Sequence, residues 1–371
     1  MDKVNLRQFL CITFLVAIAM KMFLLPVLMM RASGRDSFLA MIFALSADLL
    51  LMLVVIIALQ LSGEKNVFEL LKNAFGSIVS RILLLLVSAF YTFKLFVVLA
   101  DVRMFFSTSV YSSTMSPIHL LPFIALLVYF AFKPFSASGR LTEIITPLVV
   151  VSMLLLCFMT LPEVDFTNIL PIAGEGLDKA VNGTYPFALW FGDFTVLLAL
   201  CGKVKGGGGK LYFGLISAFV GFAFMLLFST TLFSAYGDMT EVLTYGHNIS
   251  NMTQYGAGSY KFGRIDLIIY TLWLSAVVLS AGIMTLFICR STEYTLSSKI
   301  GKWVTLGVGV LLFIMSIIFS EMNRVTEFMT TVMWLPAVIT QYCFPIICLI
   351  AGIINKFKER RKCYDKAEQK A

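Results

Sequence analysis

Charge is scarce in this sequence. Asp, Glu, Lys and Arg make up 13% of its 371 residues, against about 25% in soluble proteins. A soluble fold must cover its outer shell with polar groups, so this shortage excludes a water-exposed domain for most of the chain. Histidine is scarcer still. His119 and His247 are the only two, both at span ends or in loops, with no nucleophile partner and no metal-ligand spacing. The chain is therefore expected to be no enzyme and to carry no metal or cofactor. The seven cysteines (Cys11, Cys157, Cys201, Cys289, Cys343, Cys348 and Cys363) form no CxxC or Cys/His pattern, which excludes a zinc module or disulfide framework and leaves them as small apolar fillers. A phosphate-binding loop is missing too. The glycine run 206–209 precedes Lys210, but Val204 stands where its first glycine belongs and Leu211 where Ser or Thr is needed. The run reads as a flexible linker.

What is present is apolar length. Hydrophobic residues account for 59% of the chain, and they fall in ten runs. The first five cover residues 6–30, 37–61, 78–106, 117–132 and 141–160. The second five cover 184–201, 211–236, 265–289, 303–320 and 332–354. Each is about the length that crosses a bilayer as a helix. Lys3, Arg7 and Ala17-Ile18-Ala19 imitate a cleaved signal peptide, yet the apolar character continues to Met30, too far for a signal sequence. The expected fold is all-α and integral to the membrane, with about ten helices in one transmembrane domain and a basic tail at 355–371.

The net charge of +8 does not point to nucleic acid, because the basic residues sit at the ends of apolar runs. With the N-terminus inside, six of the 29 Lys and Arg residues are outside (Arg31, Arg35, Lys179, Lys261, Arg264 and Arg324). Three are within spans (Lys21, Lys94 and Arg103), and the other twenty are inside. That asymmetry places both termini in the cytoplasm and requires an even number of spans. The tail 356–370 is suited to anionic lipid headgroups. Residues 65–75 set Val67, Phe68, Leu70 and Leu71 at helical spacing, as in an amphipathic helix lying in the inner interface. The outer loop 237–263, rich in Gly, Ser, Asn and Tyr, reads as a lid or partner contact, with weak glycosylation patterns at Asn248 and Asn251.

Four charges fall deep inside spans. At about 1.5 Å per residue, Lys21, Asp48, Lys94 and Asp193 each lie about 14–20 Å from a span end. Each costs about 2.5–3.5 kcal/mol at a helix centre, so four unpaired would cost on the order of 10 kcal/mol. Two readings fit. Either the two cations and two anions form a polar site at mid-depth, or the lysines snorkel outward while the aspartates sit protonated against backbone groups. Asp101 and Arg103 lie nearer the outer interface and read as solvated or structural. Span 1 carries Pro26 about a turn after Lys21. Span 6 carries Pro186 and Trp190-Phe191-Gly192-Asp193-Phe194. Interrupted helices free backbone groups that a cavity, protein or ligand must satisfy, and matching interruptions leading two sets of five point to a midplane site between inverted repeats, about 6–160 and 184–354. The candidate ligand-binding residues are Ala17, Ala19, Met20, Lys21, Asp48, Lys94, Trp190, Phe191, Gly192 and Asp193, with aromatic walls at Tyr270 and Trp273.

Several short stretches carry a resemblance. They are Gly34-Arg35-Asp36 before span 2, Val67-Phe68-Glu69-Leu70-Leu71 after it, Asn168-Ile169-Leu170-Pro171-Ile172 with Gly174-Glu175-Gly176 before span 6, and Arg264-Ile265-Asp266 opening span 8. In order and spacing, over about residues 6–357, the chain resembles the B subunit of bacterial spore germinant receptors, within the amino acid–polyamine–organocation superfamily. The resemblance implies a five-plus-five inverted repeat with spans 1 and 6 broken around a small-molecule site. It implies a germinant, typically an amino acid, sensed with an A-type membrane subunit and a C-type lipoprotein subunit in the spore inner membrane. A secondary amino acid transporter, proton-coupled through Asp48 or Asp193, is the competing reading. The chain departs from its relatives in span 1, where Lys21 follows Ala17-Ile18-Ala19-Met20. Lys21 then either takes the place of a cation or meets a ligand carboxylate.

Overall fold

The computed structural model describes residues 3–22, 25–109, 117–170, 174, 176–205, 209–237, 265–318, 328 and 331–368. Residues expected to matter at 171–173, 175, 206–208 and 238–264 lie outside that set, among them Pro171, Glu175, His247, Asn248, Asn251 and Arg264.

All ten runs are helical. Among the described residues seven helices are long and apolar enough to cross a membrane, and three shorter apolar helices, Leu6–Ile18, Ile118–Ala131 and Pro186–Leu200, bring the set to ten. Span 2 is a single helix, Ser37–Ser62, that stops where Gly63 takes a positive φ of 58°. Span 3 is Ser77–Ser109, span 4 Leu121–Ala131, span 5 Phe135–Thr160 and span 7 Phe213–Tyr236. Span 8 is Ile265–Thr295 and span 9 Ser298–Ile318. Span 10 runs through Trp334–Val338, a π-turn at Ile339–Cys343 and Phe344–Glu368.

Spans 1, 6 and 8 form much of the interior, residues 187–201 of span 6 all being buried. Span 8 packs against spans 3, 4, 5 and 9, while span 1 packs on spans 5 and 7. The outer spans expose large apolar side chains such as Phe158 and Trp303, 72% and 70% accessible. That surface suits lipid, where a water-soluble fold would place charge.

The expected amphipathic helix is present as Val67–Phe75. Asn66 accepts from the Glu69 amide at 2.9 Å and Glu69 reaches back to the Asn66 amide at 3.2 Å, a reciprocal cap. Its buried face, Val67, Leu70 and Leu71, packs on spans 3 and 10. Asn355 and Lys358 of span 10 donate to the Leu70 and Asn73 carbonyls, both at 2.8 Å, and Lys65 pairs with Glu359 at 2.5 Å. The N-terminal segment reaches the same end of the molecule. Lys3 pairs with Glu64 at 3.2 Å, and Val4 bridges to Val204 just beyond span 6. Lys3, Val4 and residues 355–359 therefore lie on one face.

Candidate functional site

The two interruptions fall where the sequence placed them. Span 1 is helical over Leu6–Ile18, turns through Ala19–Met22, and resumes as Leu25–Ser33 with Pro26 in its first turn. A proline is at home there because its missing N–H has no partner to lose. Span 6 is two 3₁₀ segments, Tyr185–Trp190 and Asp193–Leu200, with Phe191 extended and Gly192 left-handed at φ 79°. Glycine suits Gly192 on two counts: its backbone conformation, and the Gln341 side chain, which fills the space a Cβ would need.

The four mid-membrane charges converge on these breaks. Lys21 Nζ lies 2.6 Å from Asp48 Oδ2 and 3.7 Å from Asp193 Oδ2, and Lys94 Nζ pairs with Asp193 Oδ1. All four residues are fully buried. They form an alternating row, Asp48–Lys21–Asp193–Lys94, with no net charge. The snorkelling alternative is thereby excluded, since both lysines point inward to carboxylates. Within a low-dielectric interior such pairing offsets the desolvation of each ion only when the remaining polar valences are filled.

Most of them are. Asp48 also accepts from the Gly192 amide at 2.7 Å and the Tyr342 hydroxyl at 3.4 Å. Lys94 donates to Gln341 Oε1 at 2.5 Å and to the Phe191 carbonyl at 3.4 Å. The Lys21 ammonium lies 5.4–5.6 Å from the ring centres of Phe191, Phe194 and Phe222, close enough for cation–π attraction. Asp193 is held by its two lysines, with no further aligned hydrogen bond among the described residues.

Side chains bind the backbone carbonyls around the breaks, two of which, Ala188 and Gly192, also accept the Phe191 and Thr195 amides. Trp273 Nε1 of span 8 donates to the Ala19 carbonyl at 2.9 Å, closing the break in span 1. Gln341 Nε2 donates to the Ala188 and Leu189 carbonyls at 3.1 and 3.4 Å, and Tyr91 reaches the Gly192 carbonyl at 3.4 Å. Thr195 Oγ1 donates to the Gln341 carbonyl at 2.6 Å. That carbonyl is available because Pro345, four residues on, has no N–H to offer it.

Of the expected site residues, Lys21, Asp48, Lys94, Phe191, Gly192, Asp193, Ala19 and Trp273 meet in this network. Ala17 and Met20 are buried beside it, and Trp190 ends the first half of span 6. Tyr270 lies one turn from Trp273, its ring 4.9 Å from that of Phe105. Four polar participants were missed, Tyr91, Thr195, Gln341 and Tyr342, as were the Phe194 and Phe222 rings around Lys21. A lone amide in the apolar run of span 10, followed by Pro345, was the signal that could have found Gln341.

Asp101 is half-buried, with both carboxyl oxygens enclosed and without a hydrogen-bond partner among the described residues, which favours the structural reading over the solvated one. Arg103 is structural, donating to the Ser316 carbonyl at 3.1 Å. No cluster of metal-ligating side chains occurs among the described residues.

A family of proteins described as spore germination proteins matches residues 3–325, nearly the whole chain. The chain belongs to the spore germination protein family. No curated protein matches this family member closely enough to count. Among solved structures it is similar to Mhp1, a nucleobase-cation-symport-1 family transporter in a closed conformation with bromovinylhydantoin bound. The TM-score is 0.57 at 14% identity, over 92% of this chain and 78% of the other. At that identity the likeness is one of fold. This spore germination protein is thus a multi-pass, transporter-like membrane protein whose interrupted helices meet at a buried, neutral charge network.

Proposed function

We propose that this chain is the transporter-like membrane subunit of a spore germinant receptor, binding a small germinant between interrupted spans 1 and 6. The observation that carries the reading is the convergence of Lys21, Asp48, Lys94 and Asp193 on the two breaks. Two ammoniums and two carboxylates are the complement of a zwitterion, which makes an amino acid the favoured ligand. A carboxylate would exchange an aspartate at Lys21 or Lys94, and an amine would exchange a lysine at Asp48 or Asp193. Ala17, Ala19, Met20, Trp190, Phe191, Gly192, Tyr270 and Trp273 would form the walls. The ligand would shift an open–closed equilibrium by its difference in affinity for the two states. In this reading A-type and C-type subunits read the change in the spore inner membrane, with both ends of this chain in the cytoplasm.

The test is germination of spores carrying Lys21→Ala or Asp193→Asn, with membrane abundance measured alongside. Each variant should need more germinant while remaining in the membrane. Unchanged dose–response curves in both would remove the site.

The fold shared with a solved transporter favours a second reading, a secondary transporter of amino acids or related solutes. Counterflow in proteoliposomes separates the two: robust exchange by the isolated chain supports transport, and its absence with intact germination supports sensing.

A further inference from the structure

Gln341 is fully buried in the π-turn Ile339–Cys343 of span 10, and its carboxamide lies in the break of span 6. Lys94 can only donate and the Ala188 and Leu189 carbonyls can only accept, so the orientation of the amide is forced. Its oxygen faces the ammonium at 2.5 Å, and its nitrogen faces the carbonyls at 3.1 and 3.4 Å. One side chain thus brings an acceptor and a donor, two bonds apart, to a cation and to the backbone carbonyls that end the first half of span 6. A primary carboxamide does the same, and so does an α-amino acid, whose carboxylate and ammonium are three bonds apart. Nothing about packing requires an amide there. An apolar side chain would fill the same volume, but it would leave the Leu189 carbonyl and one Lys94 donor without their Gln341 partner in a dry interior, with the Ala188 carbonyl keeping only the Phe191 amide.

Resting on the reading above, we propose that Gln341 is a tethered occupant of the binding site. It holds the closed form by imitating the ligand, and an α-amino acid or primary carboxamide displaces it. The π-turn is the element that lets it leave. A π-turn carries one residue more than an α-helical turn, and such turns cluster at functional sites. Returning this stretch to α-helical register rotates the Gln341 side chain away from span 6. Gln341 is bound to span 6 through its backbone as well, by Thr195. Its release therefore loosens the contact between span 10 and the second half of span 6. The inference ties ligand entry to movement of span 10, which also carries the Asn355 and Lys358 contacts to the amphipathic helix and the Glu359 contact to Lys65 just before it.

The experiment uses the full chain in lipid nanodiscs, with thermal unfolding followed in the presence of a panel of L-amino acids, propionamide, propionate and propylamine. Propionamide is the Gln341 side chain as a free molecule. In Gln341→Ala, propionamide should raise the unfolding temperature while propionate and propylamine do not. L-amino acids should stabilise that variant at concentrations at least about fivefold lower than the unsubstituted chain needs, the effect of removing one competing hydrogen-bonded group. Gln341→Leu, which keeps the volume should the alanine variant unfold, should show the same gain for L-amino acids. Equal or weaker amino acid binding in these variants overturns the proposal, because Gln341 would then be a direct ligand contact or a structural one. Equal stabilisation by propionamide, propionate and propylamine overturns it as well. The outcome is separable from the site itself: germination that still depends on Lys21 and Asp193, with no gain in the Gln341 variants, removes the tethered occupant alone.

Discussion

Lys21→Met takes one cation from a row that holds two cations and two anions, all fully buried. The row is left with a net negative charge inside the membrane. The least costly remedy is for an aspartate to bind a proton. From an ordinary value of about 3.9, that costs about 4 kcal/mol at neutral pH. The figure agrees with the ~3–5 kcal/mol lost when one partner of a buried pair is removed. The folded variant then holds one proton more than its unfolded chain, so its stability must rise as pH falls. Between about pH 7 and pH 5 the penalty should shrink from about 4 to about 1.5 kcal/mol. Asp48→Asn keeps an acceptor for the Gly192 amide and the Tyr342 hydroxyl but leaves a net positive charge. A lysine must then shed a proton, from an ordinary value of about 10.4, at about 4–5 kcal/mol near neutrality. Its pH slope has the opposite sign, and stability recovers as pH rises. Together the two substitutions restore neutrality and leave Lys94 with Asp193. The double variant should therefore lose at least about 2 kcal/mol less than the sum of the singles. Reversible unfolding in mixed detergent, measured across pH 5 to 8, reads all three quantities. Parallel pH profiles for the two single variants, or an additive double variant, would refute the idea that the row behaves as one neutral unit.

Two further outcomes follow from the breaks. Gly192→Ala forces an L-residue into a φ of 79° and drives a methyl group into the Gln341 side chain; a loss of about 2–4 kcal/mol is expected, partly recovered when Gln341→Ala is added, as the same unfolding assay would show. Trp273→Phe leaves the Ala19 carbonyl without its 2.9 Å partner, so stability should fall by about 1–3 kcal/mol. Amide hydrogen exchange should quicken at the break in span 1 and not at the distant amphipathic helix.

The elements were legible to different degrees. Span 2 ends at Gly63 and the amphipathic helix begins at Asn66 because turns and caps are encoded within a few residues. The break in span 6 was legible for the same reason: Pro186 and Gly192 act on their own backbone. The fate of Asp101 was not. Distance from a span end measures depth, and depth alone does not say whether the neighbouring surface is water, lipid or protein. Gln341 was overlooked because a single amide in an apolar run has no periodicity, and its value lies in what faces it.

The sequence by itself determined that this protein lives in a membrane, that about ten helices cross it, and that two are interrupted near four charges of comparable depth. Those properties are summed along one helix at a time: apolar length against bilayer thickness, and the cost of a charge at a given height. Which lysine meets which aspartate, and that Gln341 completes the row, was decided only when spans 1, 2, 3, 6 and 10 packed side by side. An ion pair depends on a few ångströms of lateral approach between helices far apart in the chain, and no local rule of spacing carries that distance.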